Sequence, residues 1–221
     1  DNQVSIFIDA EDSWFQDFID ELALKMMLSY NKKSAIIFNT IQLYRHDRLN
    51  YMKNLIAKCN DNSVKCGLKL VRGAYMEKER EQATINGYVD PIHATKEDTD
   101  KDYNKAIDHC LNHIDMVSIC AGTHNEFSTK YLTEKMSKLK LKNNDNRVWF
   151  AQLLGMSDHI SFNLSKNGYN TAKYVPYGPI KEVLPYLIRR AKENTSVAGQ
   201  TGRELALIKK EINRRKLRDI S

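Results

Sequence analysis

The sequence predicts an α/β protein built on parallel strands, of the (β/α) barrel kind. Three observations carry that expectation. Short apolar runs alternate with amphipathic stretches along the whole chain. Polar residues collect just after each apolar run: Asp9, Gln42, Arg72 with Tyr75, Thr123-His124-Asn125, Gln152, then Tyr174. No Gly-x-Gly-x-x-Gly turn follows any run, which counts against a doubly wound dinucleotide-binding sheet. In a barrel, such strand ends gather at one end of the fold, where sites are built.

In chain order, Val4–Ile8 reads as a buried strand ending at Asp9-Ala10-Glu11. Ser13 is expected to cap a helix, with Gln16 as its capping-box partner. Trp14, Phe15, Phe18, Ile19, Leu22, Ala23, Met26 and Met27 form the expected core stripe of that helix. After a polar turn, Ala35–Phe38 starts a strand that runs on to Gln42, and a helix from about Arg45 carries Leu49, Met52, Leu55 and Ile56. Gly67–Val71 is the third strand, followed by Arg72-Gly73-Ala74-Tyr75 and a charged helix ending at Gly87. A further helix points Tyr103, Ala106, Ile107, Cys110, Leu111 and Ile114 inward. Met116–Ala121, Arg147–Leu154 and Ala172–Val175 are the remaining strands. The Lys-rich helix 126–141 between the first two reads as a solvated face. No aromatic platform is interleaved with it, so nucleic acid is not an expected partner.

Composition narrows the class further. The formal net charge of +6 favours anionic ligands, a flavin nucleotide or phosphate among them, or a negatively charged membrane surface. Four cysteines without a CxxC pair suit free thiols in a reducing compartment. His109 and His113 flank Cys110, but no second ligand pair follows at metal spacing, so no metal site is expected. No apolar run is long enough to span a bilayer.

The richest stretch is Tyr174–Asn194. Pro176 and Gly178 break a strand, and Pro179 opens a helix where its missing N–H costs nothing. Ile180, Val183, Leu184, Leu187, Ile188 and Ala191 share one stripe, while Tyr186, Arg189, Arg190 and Glu193 lie opposite. Two adjacent guanidiniums make a clamp for a small carboxylate, each fork donating two hydrogen bonds. On periodicity alone an ordinary solvated face with ion pairs remains the alternative.

Leu68-Lys69-Leu70-Val71-Arg72-Gly73-Ala74-Tyr75 resembles the central signature of the proline dehydrogenase family, and Tyr186-Leu187-Ile188-Arg189-Arg190-Ala191-Lys192-Glu193-Asn194 resembles its C-terminal signature. Ile8-Asp9-Ala10-Glu11, Thr123-His124-Asn125, Gln152-Leu153-Leu154-Gly155-Met156 and Tyr174-Val175-Pro176-Tyr177-Gly178 fall in the family's order. The mitochondrial, eukaryotic branch fits best.

The resemblance implies a (β/α)8 TIM-type barrel holding FAD, which oxidises L-proline to Δ1-pyrroline-5-carboxylate and passes electrons to quinone. It implies that Arg189 and Arg190 hold the proline carboxylate, that Tyr174 and Tyr186 shape the pocket, and that Asp9 braces an arginine beside it. Gln42, Lys69, Arg72, Tyr75, Thr123, His124, Asn125, Gln152, Leu153 and Glu193 are the implied flavin contacts. Lys69 stands where the bacterial pattern has Arg, keeping the charge without the planar fork. Tyr174 is expected to crowd hydroxyproline; a hydroxyproline dehydrogenase and a non-catalytic subunit of a larger mitochondrial assembly are the competing readings.

The expected domain is a single partial barrel over residues 1–221, with a basic helix at 203–218 whose lysines and arginines suit the inner mitochondrial membrane on its matrix side. About six strand–helix units are legible where a closed barrel takes eight strands. The first two strands of the family pattern are therefore expected from an upstream segment or another chain.

Overall fold

The computed structural model describes residues 4–196, with side chains as far as Ile188, and six tail positions: Ala206, Lys209, Lys210, Ile212, Asn213 and Arg215. Those six are helical and exposed; Arg214, Lys216 and Arg218 of the expected basic helix lie outside the described residues. The elements are β1 Ile6–Ile8, α1 Ser13–Tyr30, β2 Ile37–Gln42, α2 Arg48–Asp61, β3 Cys66–Val71, α3 Met76–Asn86, α4 Lys96–Asn112, β4 Val117–Gly122, α5 Glu126–Lys138, β5 Val148–Leu153, α6 Asp158–Lys166, β6 Thr171–Tyr174 and α7 Ile180–Ser196.

The sheet order is β1-β2-β3-β4-β5-β6, with parallel pairing from β1 through β5. Strand order that follows chain order belongs to the barrel; a doubly wound sheet reverses at a switch point. The chain divides into two compact units, Asp1–Lys173 and Tyr174–Ser221.

Register explains where the core of the first unit lies. Partners across a parallel sheet share a face, and successive residues alternate between faces. Ile41, Leu70, Ala121 and Phe150 form one row, with Leu68, Ile119 and Val148 one step before it. All are buried, against Met52 and Ile56 of α2, Tyr103 and Ile107 of α4, and Leu132 and Met136 of α5. Each large apolar side chain buried this way contributes roughly 1.5–3 kcal/mol.

Several expectations fail locally. The Val4–Ile8 strand is not buried: Val4, Ile6 and Phe7 are exposed, because β1 is the edge of the sheet. The pattern gives no helix between Gly155 and Gly168, yet α6 occupies most of that stretch, with Ile160, Ser161 and Leu164 turned inward. Nine residues with only two apolar anchors are too few for a clear helical period.

Helix α1 departs from its expected stripe in part. Ala23 and Met27 of that stripe are fully buried, but Gln16 and Asp20 share their face, whereas Trp14, Phe15, Phe18 and Leu22 are exposed, Phe18 to 73%. Asp20 explains the choice. Its Oδ1 accepts from Gln16 Nε2, Asn39 Nδ2 and Arg48 Nη2, each at 2.9 Å, and Arg48 Nη1 lies 2.7 Å from its Oδ2. A buried carboxylate is tolerated when so compensated. The expected capping box does not form either: Asp12 is the N-cap, and Gln16 Oε1 accepts from Glu11 N at 2.9 Å. Ser13 instead donates from N and Oγ to the Glu79 carboxylate, both at 2.6 Å.

Candidate active site

The stretch Leu68–Tyr75 has a separate task at nearly every position. Leu68 and Leu70 enter the core, so Lys69 between them faces the other side of the sheet, in register with Thr40 and Cys120. There Lys69 pairs with Asp9, which follows β1, and Thr40 Oγ1 donates to the same Asp9 oxygen at 3.3 Å. The Lys69 ammonium also lies 5.8 Å from the Phe7 ring centroid. Asp9 thus braces a lysine two strands away in the sheet.

Arg72, just past β3, ties three elements together. Its Nε donates to Asp100 on α4, Nη1 to Thr123 Oγ1 and Nη2 to Ser128 on α5, at 2.6, 2.6 and 2.9 Å. Its guanidinium also stacks on Tyr103 at 4.4 Å. Burial pushes the Asp100 carboxyl up, but hydrogen bonds from Lys96 and Arg72 outweigh it and hold the group below its usual range. Gly73 is required by close approach: a Cβ there would sit 2.4 Å from the Tyr44 ring, and φ is +142°. Tyr75 OH donates to Glu11 at 3.1 Å.

After β4, Thr123 and Asn125 serve the framework. Thr123 Oγ1 accepts from Arg72 and from Asn125 N, and the Asn125 side chain caps α5 by accepting from Ser128 N at 3.0 Å. His124 reaches the next loop, with Nδ1 3.0 Å from Ser157 Oγ. Gln152 is buried and satisfied at both ends, donating to Thr123 O at 3.3 Å and accepting from Ser161 Oγ at 2.8 Å. Gln42 donates to Glu11 O at 2.8 Å. Leu153 ends β5, and its carbonyl lies 3.5 Å from Lys173 Nζ. That ammonium is held more closely by Met156 O and Asp158, at 2.8 and 2.7 Å.

The row opposite the core is Thr40, Lys69, Cys120 and Trp149, flanked by Ser118, Gly122 and Ala151. Most of these side chains are short. Lys69, Ser118, Gly122 and Ala151 are half-buried and Trp149 is exposed, so this face is not filled by the described residues. Burial pushes the Cys120 thiol up to about 12, against the opposing effect of Lys69, so it stays protonated at neutral pH.

In the second unit, Pro179 O accepts from Glu182 N and Val183 N at 2.9 and 3.0 Å, which starts α7. Tyr174 and Tyr186 pack ring to ring at 5.7 Å, tilted by 56°. Arg189, Arg190 and Glu193 lie on α7, as their pattern predicts; their side chains lie outside the described residues. Of the expected residues, the first unit therefore links Asp9 with Lys69, Arg72 with Thr123, and Thr123 with Gln152. Asp100 joins Arg72 and Ser157 joins His124, and no motif pointed to either.

Sequential parallel strands with a polar rim at their C-terminal ends define an α/β barrel-type domain. The chain belongs to the proline dehydrogenase family: a family model described as proline dehydrogenase matches residues 1–203. It is 39% identical to Proline dehydrogenase 1, mitochondrial, of Drosophila melanogaster, over 99% of this chain and 34% of that protein. It is 41% identical to the Homo sapiens protein of the same name, over 96% of this chain and 36% of the relative. The chain thus spans about a third of the length of these relatives. Proline utilization A from Bdellovibrio bacteriovorus, solved after inactivation by N-propargylglycine, superposes with a TM-score of 0.82 at 24% identity, over 88% of this chain and 20% of that one. That likeness shows the fold.

Proposed function

We propose that this chain is part of a mitochondrial enzyme that oxidises L-proline to Δ1-pyrroline-5-carboxylate with FAD and passes the electrons to quinone. The observation that carries this reading is the half-open sheet face around Lys69. Short side chains there leave room for a planar ring, and an ammonium braced by Asp9 supplies positive charge. That donor set fits a flavin, whose reduced form is anionic. Bound flavin supplies a hydride acceptor for the carbon beside the proline nitrogen. Lys69, His124 and Gln42 are the residues assigned to face it. Arg72, Tyr75, Thr123, Asn125, Gln152 and Leu153 support that end of the sheet through the bonds described above, and Glu193 is assigned to the cofactor by family pattern.

Arg189 and Arg190 are assigned to the substrate carboxylate, with Tyr174 and Tyr186 shaping its pocket. Orientation is the main demand of hydride transfer, and a two-arginine clamp supplies it. Replacing either arginine with Met in the whole enzyme is expected to weaken proline by about 2–4 kcal/mol while FAD content holds. Steady-state kinetics check this, and an unchanged KM in both variants removes the assignment.

The reading also takes the exposed Val4, Ile6 and Phe7 of the β1 edge, with the apolar face of α1, to be covered by further strands and helices of the same barrel, from this polypeptide or another. Lys209, Lys210 and Arg215 are each helical and exposed and are assigned to an anionic membrane surface, each worth about 1 kcal/mol there. Co-sedimentation with vesicles should rise with anionic lipid and fall with salt; indifference to both removes the membrane contact. Quinone-dependent turnover of L-proline by the flavin-loaded protein tests the reading as a whole.

A further inference from the structure

Side chains from Lys69 to Glu79 reach back to the stretch Asp9–Ser13, and they do so in chain order. Lys69 pairs with Asp9, and Tyr75 OH donates to Glu11 at 3.1 Å. Lys78 Nζ donates to Asp12 at 2.6 Å, and Glu79 accepts from Ser13 N and Ser13 Oγ, both at 2.6 Å. Glu79 is the innermost of these groups, at 0% exposed, and spends both carboxylate oxygens on one residue. The first N–H groups of a helix have no partner within it, and the N-cap side chain ordinarily takes one of them. Asp12, the N-cap of α1, makes no such bond; its carboxylate goes to Lys78. Glu79, on α3, takes the Ser13 amide instead. The start of α1 is thus fixed from α3 and not by its own capping residue.

The consequence falls on Asp9. β1 pairs with β2 at Ile6, Phe7 and Ile8, so the register of the sheet ends one residue before it. Asp9 and Ala10 belong to neither strand nor helix. The place of the Asp9 carboxylate beside Lys69 and Thr40 therefore depends on where the chain is held next, at residues 11–13. We propose that Glu79 is a positioning residue for Asp9: by holding Ser13 it sets the start of α1 and the path of residues 9–12, and so the carboxylate that braces Lys69 on the flavin face. This inference rests on the flavin reading above. It assigns to Glu79 no contact with cofactor or substrate, and its effect on either passes through Asp9.

Four variants of the whole protein test it: Glu79→Ala, Glu79→Gln, Asp9→Ala, and Glu79→Ala combined with Asp9→Ala. Glu79→Ala should weaken FAD about three- to tenfold in a flavin fluorescence titration run well below its melting temperature, the scale of one ordinary hydrogen bond. A glutamate that only steadies the fold would lower the melting temperature and leave the affinity of the folded protein unchanged, and that result overturns the inference. Glu79→Gln keeps an acceptor for Ser13 N and an amide that can donate to Ser13 Oγ, so FAD affinity should return close to wild type. Affinity as weak as in Glu79→Ala overturns the inference. Once Asp9 is gone, loss of Glu79 should add nothing to the loss of affinity; additive losses overturn the inference. Ser13→Ala leaves the carboxylate its amide partner and serves if Glu79→Ala does not fold. It should act in the same direction at smaller size, and unchanged affinity overturns the inference. Amide exchange provides a readout independent of flavin: it should quicken across residues 9–13 in Glu79→Ala and stay slow in β3 and β4, whereas unchanged exchange at 9–13 overturns the inference. A wild-type protein that takes no flavin refutes the functional reading, and the exchange still decides whether Glu79 fixes this loop.

Discussion

The two faces of the sheet in the unit Asp1–Lys173 have opposite characters although their residues alternate along the same strands. On the helix side Ile41, Leu70, Ala121 and Phe150 stand in register, all buried. One residue earlier, on the other side, stand Thr40, Lys69, Cys120 and Trp149. The first row holds the fold together by excluding water. The second is buried at Thr40 and Cys120 but also carries the Lys69 charge, beside short side chains that leave space. Because the period of a strand is two, a shift of one residue would exchange these roles, so register is what keeps stability and chemistry apart.

The comparison breaks most visibly at Phe150. Phe150→Ala is expected to cost about 3–5 kcal/mol in urea denaturation of the whole protein, since its ring is buried edge-on to Tyr169 at 5.5 Å. A loss below about 1 kcal/mol would show that the helix-side row does not carry the stability assigned to it.

Lys69→Met is the opposite case. It removes a charge paired with a half-exposed Asp9, so stability should stay within about 1 kcal/mol of wild type. Flavin affinity should fall at least about tenfold, as for loss of a charge-assisted contact. A variant that loses stability and retains flavin would reverse the roles of the two faces.

The smallest expected effect lies away from both rows. The Arg147 hydrogen bond holds the Asp145 carboxyl below the usual range, against the opposing effect of burial. A carboxyl depressed in the folded state contributes stability above its unfolded value of about 3.9 and loses it as pH falls through the folded value. The stability gap between wild type and Arg147→Met, under about 1 kcal/mol at neutral pH, should therefore shrink on acidification. A gap that widens toward acid contradicts this.

Much of this was legible before any coordinates. Alternating runs placed the strands within a residue or two, and the residues around Lys69 and Arg72 stood out because charges interrupt an apolar strand end. What escaped depended on partners distant in the chain. Asp20 looked like a polar residue beside a fully apolar stripe, and only Arg48 and Asn39 make its burial tolerable. The apolar pattern therefore misplaces the N-terminal half of the buried face of α1, while it places Ala23 and Met27 correctly. Ser157 escaped because its residue type announces neither a left-handed turn nor a partner 33 residues back in the chain. Helix α6 was too short to announce itself.

The central claim is that the Lys69 face holds a flavin which proline reduces. Anaerobic titration of the purified whole protein with L-proline, followed at the visible flavin band, tests it most directly. The account predicts a band in wild type that bleaches with L-proline and not with D-proline, and a band largely lost from an equally stable Lys69→Met protein. A wild-type protein with no flavin band, or with a band indifferent to L-proline, would contradict it.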